Sequence, residues 1–274
     1  MAEVACGAQD MSPERPLILL LGAEEARYGE FSMLPAEPAR THVALSVGGA
    51  PLSASRLAKG RADIPNEDAA LALDEGQKTL LAVADSHFGH TASHFLLERL
   101  REILGAGRTL PADPASLVEL LASCLGGDRP DGDESESTLL VAVVDRQRGR
   151  GLGVAFGDSS LFVVSLEDPP RRVSPQNRAY VSPFDAGSFA PGRGSLFEFA
   201  FRPGDLVVAF TDGVDECHYR SPDTSVGPRH LHGLYIRTCG EADLFADALV
   251  RLALQGVDGS PGGEDNIALA VTKA

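Results

Sequence analysis

The stretch AALALDEGQKTLLAVADSH, residues 69–87, decides the architecture. Ala69 to Leu73 and Thr79 to Ala84 are two apolar runs of strand length, and between them Asp74-Glu75-Gly76 has the residue types that turn a hairpin. Working outward, His42 to Val47 reads as a strand closed by Gly48-Gly49, and Leu17 to Leu21 as another between Pro16 and Gly22. After the hairpin, Thr91 to Leu104 predicts a helix. Phe95, Leu96, Leu100, Ile103 and Leu104 share its inner face, while Glu98, Arg99, Arg101 and Glu102 lie outside. A second helix is expected over Pro114 to Leu125, followed by a glycine- and acid-rich connection from Gly126 to Glu136. Short strands follow at 138–144, 153–156, 161–165, 196–201, 206–210 and 267–272, with a helix over 241–255 before the last. Residues 166–195 are dense in Pro, Arg, Ser and Gly and read as a surface flap. The helices come in two blocks rather than in regular βα alternation, which predicts an α+β layered domain and not a doubly wound parallel sheet. The expected organisation is an irregular amino-terminal arm over 1–40 and one domain over 41–274.

Composition narrows the function classes. The 274 residues are 43% hydrophobic and 23% charged, enough for a sizeable core. A formal net charge of −15, aromatics at 6% and no Trp argue against a nucleic-acid partner, which needs a basic stripe or stacking platforms. Four dispersed cysteines, Cys6, Cys124, Cys217 and Cys239, form no CxxC pair and fit a reducing cytoplasm. The run Leu17 to Leu21 is far too short to span a bilayer, so no membrane association is expected.

Four acidic motifs stand at the ends of expected strands: Asn66-Glu67-Asp68, Asp85-Ser86-His87, Thr211-Asp212-Gly213 and Glu264-Asp265-Asn266. One Asp-Gly at a strand end is ordinarily a turn. Four carboxylate motifs beside rigid strands point instead to hard divalent cations, which take about six oxygen ligands. Two such ions close together lower the pKa of a bridging water and neutralise a phosphoryl group, and His87, two residues after Asp85, could protonate a leaving alkoxide.

The order Asn66-Glu67-Asp68, Asp85-Ser86-His87-Phe88-Gly89, Gly157-Asp158-Ser159, Thr211-Asp212-Gly213, Asp265-Asn266 resembles the metal-dependent protein phosphatase 2C (PPM) family over roughly residues 40–274. The resemblance implies a four-layer αββα sandwich, two antiparallel sheets flanked by helices, with a dinuclear Mg²⁺ or Mn²⁺ centre at one end. It implies that Asp85 bridges both ions, that the Ser86 carbonyl helps hold one, and that Asp212 and Asp265 hold the other. Glu67 and Asp68 would act through water, His87 would be the general acid, and Asp158 with Asp212 would match the site of a third, weaker ion found in some members. Arg61 is the nearest match to the basic residue that meets the substrate phosphate. The expected activity is hydrolysis of phosphoserine or phosphothreonine on a protein partner by a metal-activated water, carried out by a monomer. Phe201 to Glu216 also resembles the branch that dephosphorylates anti-anti-sigma-type regulators in bacteria.

The chain departs from the family's Asp-Gly-His-Gly-Gly at Ser86 and Phe88. Ser86 would carry a cost wherever φ is positive, and Phe88 adds bulk at the mouth of the site. These changes motivate a rival reading, a catalytically silent binding module on the same fold. A small-metabolite phosphatase would share the metal chemistry. His87, His90 and His94 are spaced like zinc ligands, but no glutamate base follows His90, and His94 reads as an ordinary helix-face residue. Arg171, Arg172, Arg178 and Arg193 could steer a phosphorylated partner, but the favoured reading is of charges that keep the flap solvated.

Overall fold

The computed structural model describes residues 16–24, 27–36, 40–48, 66–190, 192–218 and 221–274. In chain order the strands are β1 (Leu17–Leu21), β2 (Phe31–Ala36), β3 (Thr41–Ser46), β4 (Asp68–Asp74) and β5 (Lys78–His87). Helices α1 (Thr91–Gly105) and α2 (Pro114–Ala122) come next. Then follow β6 (Glu136–Ser137), β7 (Leu139–Asp145), β8 (Arg150–Phe156), β9 (Ser160–Val164), β10 (Arg171–Arg172), β11 (Ser195–Ala200) and β12 (Leu206–Phe210). The chain closes with the single turn α3 (Asp212–Asp215), α4 (Pro228–Thr238), α5 (Ala242–Gln255) and β13 (Ile267–Lys273).

The 69–87 hairpin is present as β4 and β5, with Ala69 opposite Ala84 and Leu73 opposite Leu80. It sits inside a sheet of order β1-β4-β5-β7-β8-β11, with β6 on the end of β5, and the second sheet runs β10-β9-β12-β13-β3-β2. Every ladder between these strands is antiparallel. Both faces of each sheet are covered, which is why β4 reads as a continuous apolar run rather than alternating with polar residues. Ala70, Ala72, Leu81 and Val83 meet Val43, Leu45, Val207 and Ala270 between the sheets. Leu71, Leu73, Leu80 and Ala82 face Leu96, Leu100, Leu117 and Leu121 of α1 and α2. Phe210, Leu269 and Val271 face Leu231, Leu234, Phe245 and Leu249 of α4 and α5. This is the four-layer αββα sandwich.

Within the expected amino-terminal arm, Leu17–Leu21 is a strand as read, and Phe31–Ala36 is a second one. β1 pairs with β4 and β2 with β3, so the described part of this stretch supplies an edge strand to each sheet. Pro35 is tolerated because β2 is an edge, where a missing N–H costs no ladder bond.

Candidate active site

The two sheets are pinned together at one end. The Thr211 hydroxyl, at the exit of β12, donates to Asp68 Oδ2 at 2.7 Å and accepts from the Ala268 N–H at 2.8 Å. That bond joins the start of β4 in one sheet to the end of β12 in the other. The loops after β12 and before β13 approach backbone to backbone: a Cβ on Gly213 would stand 1.7 Å from the Asn266 carbonyl oxygen. Glycine is therefore required beside Asp212 by the close approach of the Asp265 loop. Across the β4–β5 ladder Asp68 lies directly opposite Asp85, both buried. Glu67 Oε1 accepts from the Gly89 N–H at 3.1 Å, which holds the turn after β5 against the start of β4.

Main-chain bonds fix Asp85 itself. Its N–H donates to Thr138 Oγ1 at 3.0 Å, and its carbonyl accepts from the Thr138 N–H at 2.8 Å and the Ser137 hydroxyl at 3.0 Å. Behind it, the first turn of α1 acts as a brace. The Ser93 N–H donates to Ser86 Oγ at 2.7 Å, and the Ser93 hydroxyl donates to the Glu67 carbonyl at 2.5 Å. His94, next along, is buried rather than on an open helix face, and its Nε2 accepts from the Gly22 N–H at 3.1 Å. Burial, together with the neighbouring His90, pushes its pKa down to about 4, so it is a neutral acceptor at neutral pH.

The flap reaches the same end. Val181 exchanges two main-chain hydrogen bonds with Ser137, at 2.9 and 2.8 Å, and Ser137 pairs with Ser86 on β5. The Tyr180 ring is thereby set 4.8 Å from that of His87. Burial raises the Tyr180 pKa, and the charges of Asp158, Asp85, Glu136 and Asp212 raise it further, so the phenol stays protonated beside all four carboxylates. Arg172 is partly buried rather than solvating the flap. It donates to the Asp158 carbonyl at 2.8 Å and lies 3.9 Å from Asp215, whose own pKa burial pushes up to about 6. Glu216 is also raised, by burial and then by Asp158 and Asp265.

Glu67, Asp68, Asp85, Asp158, Asp212 and Asp265 thus come from five separate segments to one end of the sandwich, with Ser86 and His87 among them. Arg61 lies outside the described residues. Among the described residues no three His, Cys, Asp or Glu side chains already form a cage around one ion position. The donor set is nonetheless that of a hard cation: carboxylate oxygens, with two buried acids facing each other across a ladder, where like charges repel unless a cation offsets them.

Positive φ falls on Phe88, at 63°, and on Gly89, at 123°, not on Ser86, which continues β5. The substitution of concern is therefore Phe88, held in a left-handed conformation that costs a non-glycine residue about 1–2 kcal/mol. Tyr180, Glu136 and Ser93 are not singled out by the sequence, and Arg172 and His94 stand out there only for other roles. The only signal was the length and Arg content of the flap.

The family model described as stage II sporulation protein E (SpoIIE) matches residues 75–274. No curated protein matches in sequence. Among solved structures, the chain is similar to the catalytic domain of the serine threonine protein phosphatase PstP in complex with two manganese ions, at 16% identity and a TM-score of 0.60, covering 94% of this chain and 98% of that one. It is also similar to the serine/threonine phosphatase PstP/Ppp of Mycobacterium tuberculosis (17% identity, TM-score 0.58, 89% and 97% covered). A third is the PPM Ser-Thr phosphatase MsPP of Mycobacterium smegmatis in complex with cacodylate (18%, 0.56, 85% and 97%). At these identities the likeness is one of fold. No helix among the described residues is long and apolar enough to cross a membrane.

Proposed function

Because the chain belongs to the SpoIIE family, a PPM-type phosphatase family, we propose that it hydrolyses phosphoserine or phosphothreonine on a protein partner with Mn²⁺ or Mg²⁺ at the carboxylate end of the sandwich. The observation that carries this reading is the buried Asp68–Asp85 pair, joined through Thr211 to the loop that carries Asp212 and packs on Asn266, the residue after Asp265. Asp85, Asp212, Asp265 and the Ser86 carbonyl would hold two ions, Glu67 and Asp68 would act through water, and Asp158 would serve a third. Bound cations would supply charge neutralisation at the phosphoryl group and an activated water. The chain's own contribution is orientation. The Thr138 and Ser137 bonds fix Asp85, the α1 brace fixes Ser86 and Glu67, and His87 donates a proton to the leaving oxygen. Arg61 remains a proposed contact for the substrate phosphate.

The test is turnover of a small aryl phosphate as Mn²⁺ is titrated, with thermal melting alongside. Metal-dependent turnover with a Tm that rises with Mn²⁺ is the expected result. A Tm rise without turnover would favour the silent module, and no change in either would refute the metal assignment. His87→Ala is expected to slow an alkyl phosphate by about 10²–10⁴-fold and an aryl phosphate less, because a phenolate leaves without full protonation. Equal losses on both would remove His87 from the acid role.

A further inference from the structure

Phe88 breaks two rules at once. It holds φ at 63°, a conformation that a glycine would adopt freely, and the residue is 67% exposed, so burial within the chain does not offset the strain. Two other non-glycine residues among those described have positive φ, Cys239 at the end of α4 and Asp258 in a surface turn, and neither adjoins the carboxylate end. Phe88 does. It follows His87 directly, and their ring centroids are 6.4 Å apart. The His87 ring in turn meets Tyr180 edge-on at 4.8 Å. Three aromatic rings thus run from the flap, past the proposed general acid, to an exposed apolar face.

We propose that Phe88 is a specificity-determining residue, forming a platform for an apolar side chain next to the phosphorylated residue of a protein substrate. This rests on the phosphatase reading above. A phosphoryl ester presented to Asp85 and His87 carries its neighbouring residues across Phe88, the residue after His87. An exposed ring gains by being covered with apolar surface.

The experiment compares kcat/KM with Mn²⁺ for two fluorescently labelled phosphoserine peptides, identical except for Leu or Gly on each side of the phosphoserine, and for a small aryl phosphate. The wild type is expected to prefer the Leu peptide by about tenfold. Phe88→Gly should bring that ratio close to one, and Phe88→Tyr should restore it. A preference that survives in Phe88→Gly, or that is absent in the wild type, overturns the proposal. If the wild type turns over none of the three substrates, the phosphatase reading fails separately. Fluorescence anisotropy of the same peptides then decides the role of Phe88: loss of Leu preference on Phe88→Gly supports the platform, and equal binding of both peptides by the wild type refutes it.

Discussion

Asp85→Asn is expected to lower Mn²⁺-dependent turnover by at least about a thousandfold without unfolding the protein. The carboxamide keeps the shape of the side chain and removes its charge. Its main chain is held by the bonds to Thr138 and Ser137, and these survive the change. A carboxylate that holds a catalytic cation contributes several kcal/mol of transition-state stabilisation, and each 1.36 kcal/mol is a factor of ten in rate. Stability should move the other way. In the metal-free protein Asp85 faces Asp68 across the ladder, so removing one charge relieves repulsion and the variant should melt no lower than the wild type. Adding Mn²⁺ should then raise the Tm of the wild type but not of the variant. Turnover within tenfold of wild type, or an unaltered Mn²⁺ response, would take Asp85 out of the centre.

Much of this end of the molecule was legible because strands announce themselves by apolar runs and their ends by turn residues. The β4–β5 hairpin and the carboxylates at its open end follow from one continuous stretch. So does Asp212, at the exit of the apolar run Leu206–Phe210. The strand β2 was missed because Pro35 interrupts its pattern, and only its edge position explains why proline is allowed. Helix α4 was missed for a similar reason. Gly233 and two histidines dilute a short apolar face of Leu231, Leu234 and Tyr235, although Gly227 and Pro228 mark its start. Tyr180 and Arg172 could not have been found by periodicity. Tyr180 reaches the site through the distant pairing of Val181 with Ser137, and Arg172 through a hairpin of β10 with β9 whose two-residue strand is too short to carry a pattern. The cost weighed for Ser86 on condition of a positive φ falls on Phe88 instead, because the motif shows which glycines are replaced, not which of them needs positive φ.

The opposite end of β4 carries the largest expected stability effect. Asp74 closes the 69–87 hairpin and its carboxylate is fully buried. It accepts from Arg40 Nε at 3.1 Å, from the Thr41 hydroxyl at 2.7 Å, from the Gly76 N–H at 2.8 Å and from Arg146 Nη2 at 3.3 Å. Arg146 also donates to Thr272 Oγ1 at 2.5 Å and to the Lys273 carbonyl at 3.0 Å, so the cluster ties β13 of one sheet to the β4–β5 turn of the other. Asp74→Ala would leave the Arg146 guanidinium, itself only 10% exposed, without its counter-charge. Breaking a buried pair in this way costs about 3–5 kcal/mol, a Tm fall of about 10 °C for a domain of this size. Arg40 is one-third exposed and partly screened, so most of the loss should come through Arg146. Burial alone would raise the Asp74 pKa, but the bonds from Arg40 and Thr41, the charge of Arg146 and the Gly76 N–H outweigh it and hold the carboxyl below its ordinary value. A depressed carboxylate gives its full stabilisation above the unfolded pKa, about 3.9, and loses it as pH falls through the folded value. The gap between wild type and Asp74→Ala should therefore be constant from about pH 7 to pH 5 and narrow below about pH 4. A gap under about 1 kcal/mol at neutral pH, the range of an exposed ion pair, would show that solvent already screens this cluster and that the sandwich is held at that end by its apolar layers alone.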